Sequence, residues 1–123
     1  DLLVAGHDVL DLGTNSTVSV DYPDFGRAMA DAIVSGRAGR GVLVCGTGIG
    51  ISIAANRNPR VRAALAHDVT SARLSREHND ANVIAFGQRL IGTEVAREAL
   101  KIFLATTFEG GRHAARVAKL SKD

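Results

Sequence analysis

The sequence predicts an α/β domain built on a mainly parallel sheet and closed by a carboxyl-terminal helix. Three short, mostly apolar runs carry that reading: 41–45 (GVLVC), 61–66 (VRAALA) and 82–86 (NVIAF). Each has the length and character of a strand buried on both faces of a sheet. Between and after them, apolar residues recur every three or four positions, the spacing of a helix with one buried face. Strands alternating with helices in this rhythm form parallel units, and such sheets place their sites at the carboxyl ends of the strands.

The first six residues, DLLVAG, read as the last turn of a helix closed by Gly6. Val9, Leu10 and Leu12 then form a short apolar run, a strand stopped by Gly13 and followed by a polar loop. A helix is expected to resume near Pro23, because proline suits a first helical turn, with Phe25, Met29 and Ile33 as its apolar stripe. Gly36 and Gly39 end it. Strand 41–45 leads through GIGISIAANRN into a helix, strand 61–66 leads into DVTSARLSREHND, and strand 82–86 follows. From Thr93 to Thr106 the positions Val95, Ala99, Ile102 and Phe103 mark an amphipathic helix with Thr93 as its cap. A basic helix over 111–123 closes the chain.

Composition bounds the partners. With 123 residues and 46% hydrophobic content, the whole chain, 1–123, fits one domain small enough to gain from oligomerisation. The net charge of +2 is spread along the chain, which argues against a dedicated nucleic-acid surface. No apolar run approaches the roughly 20 residues of a membrane span, and no basic-then-apolar leader is visible. The single cysteine allows no internal disulfide and no cysteine-rich metal site, so a cytoplasmic, reducing setting is expected.

That cysteine, Cys45, ends the first apolar run and precedes Gly46, Thr47, Gly48, Ile49 and Gly50. Such a turn aims several N–H groups and the positive end of a helix dipole at one point, which stabilises an anion. A thiol phosphatase would need arginine six positions after the cysteine, where Ile51 stands. A dinucleotide fingerprint would need its third glycine at the same place. A third reading makes Cys45 a general base, since amides and a helix start favour the thiolate. A small buried hydrophobe at a strand end is the competing structural role.

The segments DYPDF, GVLVCGTGIGISIAANR, SREHNDANVIAFGQR and FEGGRHAARV, in this order, resemble the type B ribose-5-phosphate isomerases, a family that also embraces galactose-6-phosphate and allose-6-phosphate isomerases. The resemblance implies a Rossmann-like three-layer sandwich acting as a homodimer or homotetramer on a phosphorylated sugar, with sites shared between subunits and with no metal or other cofactor. It implies aldose–ketose interconversion through an enediolate. Cys45 then matches the base, and the amides from Gly46 to Gly50, with the Thr47 hydroxyl, match the cradle for the enediolate oxygens. His78 matches the residue that opens the sugar ring, and Asn79 a substrate-binding amide. Arg112 and Arg116, four apart on one helical face, match a phosphate clamp. Tyr22 lies where the family lines its pocket.

Each of these has a plainer alternative. His78 could cap a helix, the two arginines could form a solvated basic face, and Tyr22 could simply pack. His7, His67 and His113 are less informative: His67 with Asp68 suits a helix cap, His113 should point away from the clamp, and no histidine cluster shows metal-ligand spacing. The family also begins with a strand ending in an Asp-His pair and a helix, which this sequence lacks. The resemblance therefore implies a chain lacking roughly 20 residues at its amino end, judged from typical element lengths. A non-catalytic sugar-phosphate-binding subunit is the alternative from another class.

Overall fold

A computed structural model describes residues 7, 9–13 and 21–121. The expected helical turn at 1–6, the loop over 14–20 and the last two residues lie outside the described residues. Eight elements follow in order: α1 (Tyr22–Val34), β1 (Gly41–Cys45), α2 (Ile49–Asn56), β2 (Ala63–Leu65), α3 (Val69–Asn79), β3 (Val83–Gly87), α4 (Thr93–Ala105) and α5 (Arg112–Leu120). The described strands form one parallel sheet in the order β1-β3-β2. Helices cover both faces, giving the three layers that the resemblance implies.

Alternation along β3 divides the core. Val83 and Ala85 face one side with Met29, Leu43 and Ile51 from α1, β1 and α2. Ile84 and Phe86 face the other, against Ala72, Ala99 and Phe103 from α3 and α4. All five residues of β3 are buried, so this strand is the centre of the described sheet. The apolar run 41–45 suggests the same for β1, but β1 has one described neighbour, and Val44 is 52% exposed. Parallel strands need flanking partners to bury both edges, and apolar sequence alone cannot say which strand obtains them.

Two other expectations are corrected. Residues 9–12 form no strand, and Val9 and Leu10 stand nearly half exposed. A strand exists only where its backbone finds a ladder partner, and here an open trench of about 1840 Å³ lies along these residues and β1. The cap of α4 is Gly92 rather than Thr93; its backbone is extended, and no side chain accepts a first-turn N–H. By contrast Asp68 caps α3 as expected, its Oδ1 accepting the Ser71 N–H at 2.6 Å.

A buried arginine joins the far end of the sheet to the carboxyl-terminal segment. Arg76, 3% exposed, donates from Nη1 to Asp80 Oδ1 at 2.8 Å and to the Ala81 carbonyl at 2.7 Å. Its Nε donates to the Thr106 carbonyl at 3.0 Å, and the Glu109 N–H donates to the Glu77 carbonyl at 3.1 Å. These bonds lay residues 106–109 against the last turn of α3. Among the described residues no helix is long and apolar enough to cross a membrane.

Candidate active site

Two groups of predicted site residues emerge, and they sit at opposite ends of the sheet. The first surrounds Cys45, the last residue of β1 and half-buried. Its Sγ accepts the Gly48 N–H at 3.2 Å, and the Ile49 N–H is donated to Thr47 Oγ1 at 3.2 Å. Two of the five cradle amides are thus turned onto the loop's own side chains. The carbonyls of Cys45 and Gly46 accept the Gln88 and Arg89 N–H groups at 2.9 and 3.0 Å, so the residues after β3 brace the turn from behind.

Glycine is required at two places in this loop. Gly48 has φ +77°, and a Cβ there would stand 2.6 Å from Leu65 Cδ1 and 2.9 Å from the Phe86 carbonyl carbon. At Gly50 a Cβ would meet the Tyr22 ring at 2.5 Å. Tyr22 therefore packs over the start of α2 and remains 47% exposed along the trench. The packing role and the pocket-lining role coincide. Arg89, which sequence reading did not single out, lies with its guanidinium against Gly46 and also lines the trench. Its signal was an arginine two residues past the end of a parallel strand, where sites collect.

The second group lies where α3 turns into β3. His78 is in the last turn of α3 and Asn79 is its final residue, followed by Asp80 with φ 47° as the cap. Arg112 and Arg116 lie four apart on α5, both exposed and neither ion-paired among the described residues. His113 is buried while the two arginines are exposed, and its ring stacks on that of His78, with centroids 4.4 Å apart and planes inclined by 16°. Glu109 Oε1 stands 3.9 Å from His78 Nε2 and 3.7 Å from His113 Nε2. The His113 pKa is lowered from its ordinary value, first by burial, then by the charges of His78, Arg112 and Arg116, with Glu109 opposing. Sequence spacing hid this trio because Glu109, in the loop between α4 and α5, and His113, on α5, meet His78 from the distant α3.

The register fixes the separation. Cys45 pairs with Gly87 at one end of the sheet, and Gly41 pairs with Val83 at the other, where His78 is five residues upstream of Val83. Four rises of about 3.3 Å put roughly 13 Å between these levels. Within one chain the Cys45 loop and the His78 group therefore lie at opposite ends of the described sheet.

Fold and loop together define an α/β protein with a glycine-rich turn at a strand end. A family profile described as Ribose/Galactose Isomerase matches residues 1–120. A putative sugar phosphate isomerase of Bacillus subtilis, YwlF, is 51% identical over 115 residues, covering 93% of this chain and 77% of that protein. Ribose-5-phosphate isomerase B of Escherichia coli is 44% identical over 120 residues, covering 98% of this chain and 80% of the relative. A solved ribose-5-phosphate isomerase B from Clostridium thermocellum superposes with a TM-score of 0.95 at 50% identity, covering 98% of this chain and 81% of that one. These likenesses define a sugar-phosphate isomerase. The chain belongs to the ribose/galactose isomerase family.

Proposed function

We propose that the protein interconverts ribose 5-phosphate and ribulose 5-phosphate, in a cytoplasmic setting, at a site formed between two copies of the chain. His78 moves a proton from the anomeric hydroxyl to the ring oxygen, which opens the sugar. Cys45, as thiolate, removes the proton from C2 beside the aldehyde. The electron pair passes into an enediolate whose oxygens face the amides of Gly46 to Gly50 and the Thr47 hydroxyl. The proton then returns at C1 and leaves the ketose. One C–H bond and the O2–H bond break while a C–H bond at C1 and the O1–H bond form within the same molecule, so no external oxidant or cofactor is consumed. Arg112 and Arg116 hold the phosphate, while Asn79 and Tyr22 flank the sugar.

The observation that carries this reading is Cys45 Sγ held on the Gly48 amide at the head of an amide-lined turn. Preorganised donors of this kind act on charge that develops during reaction, and losing one costs about 3 kcal/mol in a comparable oxyanion site. The placement of the two groups at opposite ends of β1, a rise of roughly 13 Å at about 3.3 Å per strand residue, supports sharing the site between subunits, each supplying one group. Sharing also suits a small domain.

The family description names galactose as well as ribose, which keeps other phosphorylated aldoses as the second reading. Turnover of ribose 5-phosphate, measured beside allose 6-phosphate and galactose 6-phosphate, separates these. The pentose should be the preferred substrate, and negligible pentose turnover would remove it. Cys45→Ala should abolish turnover while leaving substrate binding. Unaltered turnover would take Cys45 out of the mechanism, and binding without turnover by the parent chain would favour a non-catalytic sugar-phosphate-binding subunit.

A further inference from the structure

We propose that His78, Glu109 and His113 form a binding site for a divalent transition-metal ion of the zinc class. Their donor atoms, one imidazole nitrogen from each histidine and one carboxylate oxygen, all lie within 4.8 Å of one another. The distances of 3.9 and 3.7 Å from Glu109 to the two rings are too long for hydrogen bonds. The three atoms border a common gap instead of satisfying one another. Two nitrogens and one oxygen, with a fourth position open, form a donor set that suits zinc and its neighbours.

The geometry needs modest adjustment. Tetrahedral bonds of about 2.1 Å place neighbouring ligand atoms about 3.4 Å apart, so the donors must draw together. Stacked rings inclined by 16° cannot both aim their lone pairs at one point, so one ring must turn. His78, with 40% of its side chain exposed, has room to do so, and Glu109 is 53% exposed. His113 is buried, so its ring is the fixed member of the three.

Charge around the cluster sharpens the choice of ion. His78 and Glu109 stand against His113, and Arg112 and Arg116 lie on the same helix, one residue before it and three after. The two arginines oppose hard cations such as magnesium, whose binding relies on oxygen ligands and charge. Imidazole ligation is less dependent on net charge, which leaves the zinc class favoured. A bound ion occupies the lone pair that His78 uses to move a proton. Metal binding then inhibits the isomerase, a consequence that rests on the function proposed above.

The test is titration of the chain with cobalt(II), read from its visible absorption, followed by displacement with zinc(II). One ion per chain is expected, bound at least tenfold more weakly by Glu109→Ala and by His113→Ala. Cys45→Ser removes the other soft ligand and should bind cobalt within twofold of the parent. Zinc should suppress ribose 5-phosphate turnover in the parent, and Glu109→Ala should keep its turnover at the same zinc concentration. Absence of cobalt binding at millimolar concentration, undiminished binding by Glu109→Ala, or loss of binding in Cys45→Ser would overturn the site. If no sample turns over ribose 5-phosphate, the functional reading fails while the cobalt isotherms still decide the site.

Discussion

Replacing Gly48 with alanine should destabilise the fold by about 2–5 kcal/mol, and the structure supplies both parts of that figure. Its φ of +77° places an L-residue in the left-handed region, which costs about 1–2 kcal/mol. The new Cβ would stand 2.6 Å from Leu65 Cδ1, 2.9 Å from the Phe86 carbonyl carbon and 3.0 Å from its oxygen. Phe86 belongs to the buried strand β3, whose backbone cannot withdraw without disturbing both faces of the core. Overpacking of this kind costs about 1–3 kcal/mol. Against a total stability of about 5–15 kcal/mol the loss is large, and it should lower Tm by roughly 10–20 °C. Urea unfolding, with the slope compared between variants, measures it directly. Gly39→Ala is the control, because nothing lies within 4 Å of a Cβ there, and it should change stability by less than about 0.5 kcal/mol. A Gly48→Ala chain as stable as the parent would refute the close packing of the loop on β3.

Other consequences are open to direct measurement. Asp68→Ala removes the side chain that accepts the Ser71 N–H at the start of α3 and should cost about 1 kcal/mol in denaturant unfolding; a change below about 0.3 kcal/mol would deny the cap. The lowered His113 pKa means that the folded chain binds fewer protons there than the unfolded chain, so stability falls as pH drops from about 6.5 to the folded value, then levels. Imidazole NMR titration checks this, and a His113 midpoint at or above 6.5 would contradict it. Arg116→Ala should raise KM for a phosphorylated sugar roughly 10- to 100-fold with kcat nearly kept, as loss of a charge-assisted hydrogen bond predicts. An unchanged KM would take Arg116 out of the phosphate clamp.

What was legible in the sequence was what is local. Contiguous apolar runs identified β1 and β3, and helical spacing identified α1 and α4, because burial of one face leaves its period in the chain. The Cys45 loop was readable for the same reason, since its cysteine, its glycines and the start of α2 are adjacent. Pairing is not local. Val9, Leu10 and Leu12 look like a strand but lie unpaired beside the trench, and β1 reads as central while Val44 stands exposed. The His78, Glu109 and His113 cluster was hidden because it depends on Arg76 fastening residues 106–109 to α3. Helical position alone set His113 apart from the two arginines but could not say what it meets, which is the ring of His78.

Subunit mixing between Cys45→Ala and His78→Ala tests the shared site most directly. Each variant alone should lack activity, since each removes one member from every site. Random pairing of equal amounts makes about half the dimers mixed, and two-fold symmetry gives a mixed dimer one intact site of two. Refolding the variants together, with mixed dimers counted by native mass spectrometry, should restore about a quarter of parental ribose 5-phosphate turnover. Mixed dimers that form but remain inactive would contradict the account, because that is the result if Cys45 and His78 serve the same site from within one chain.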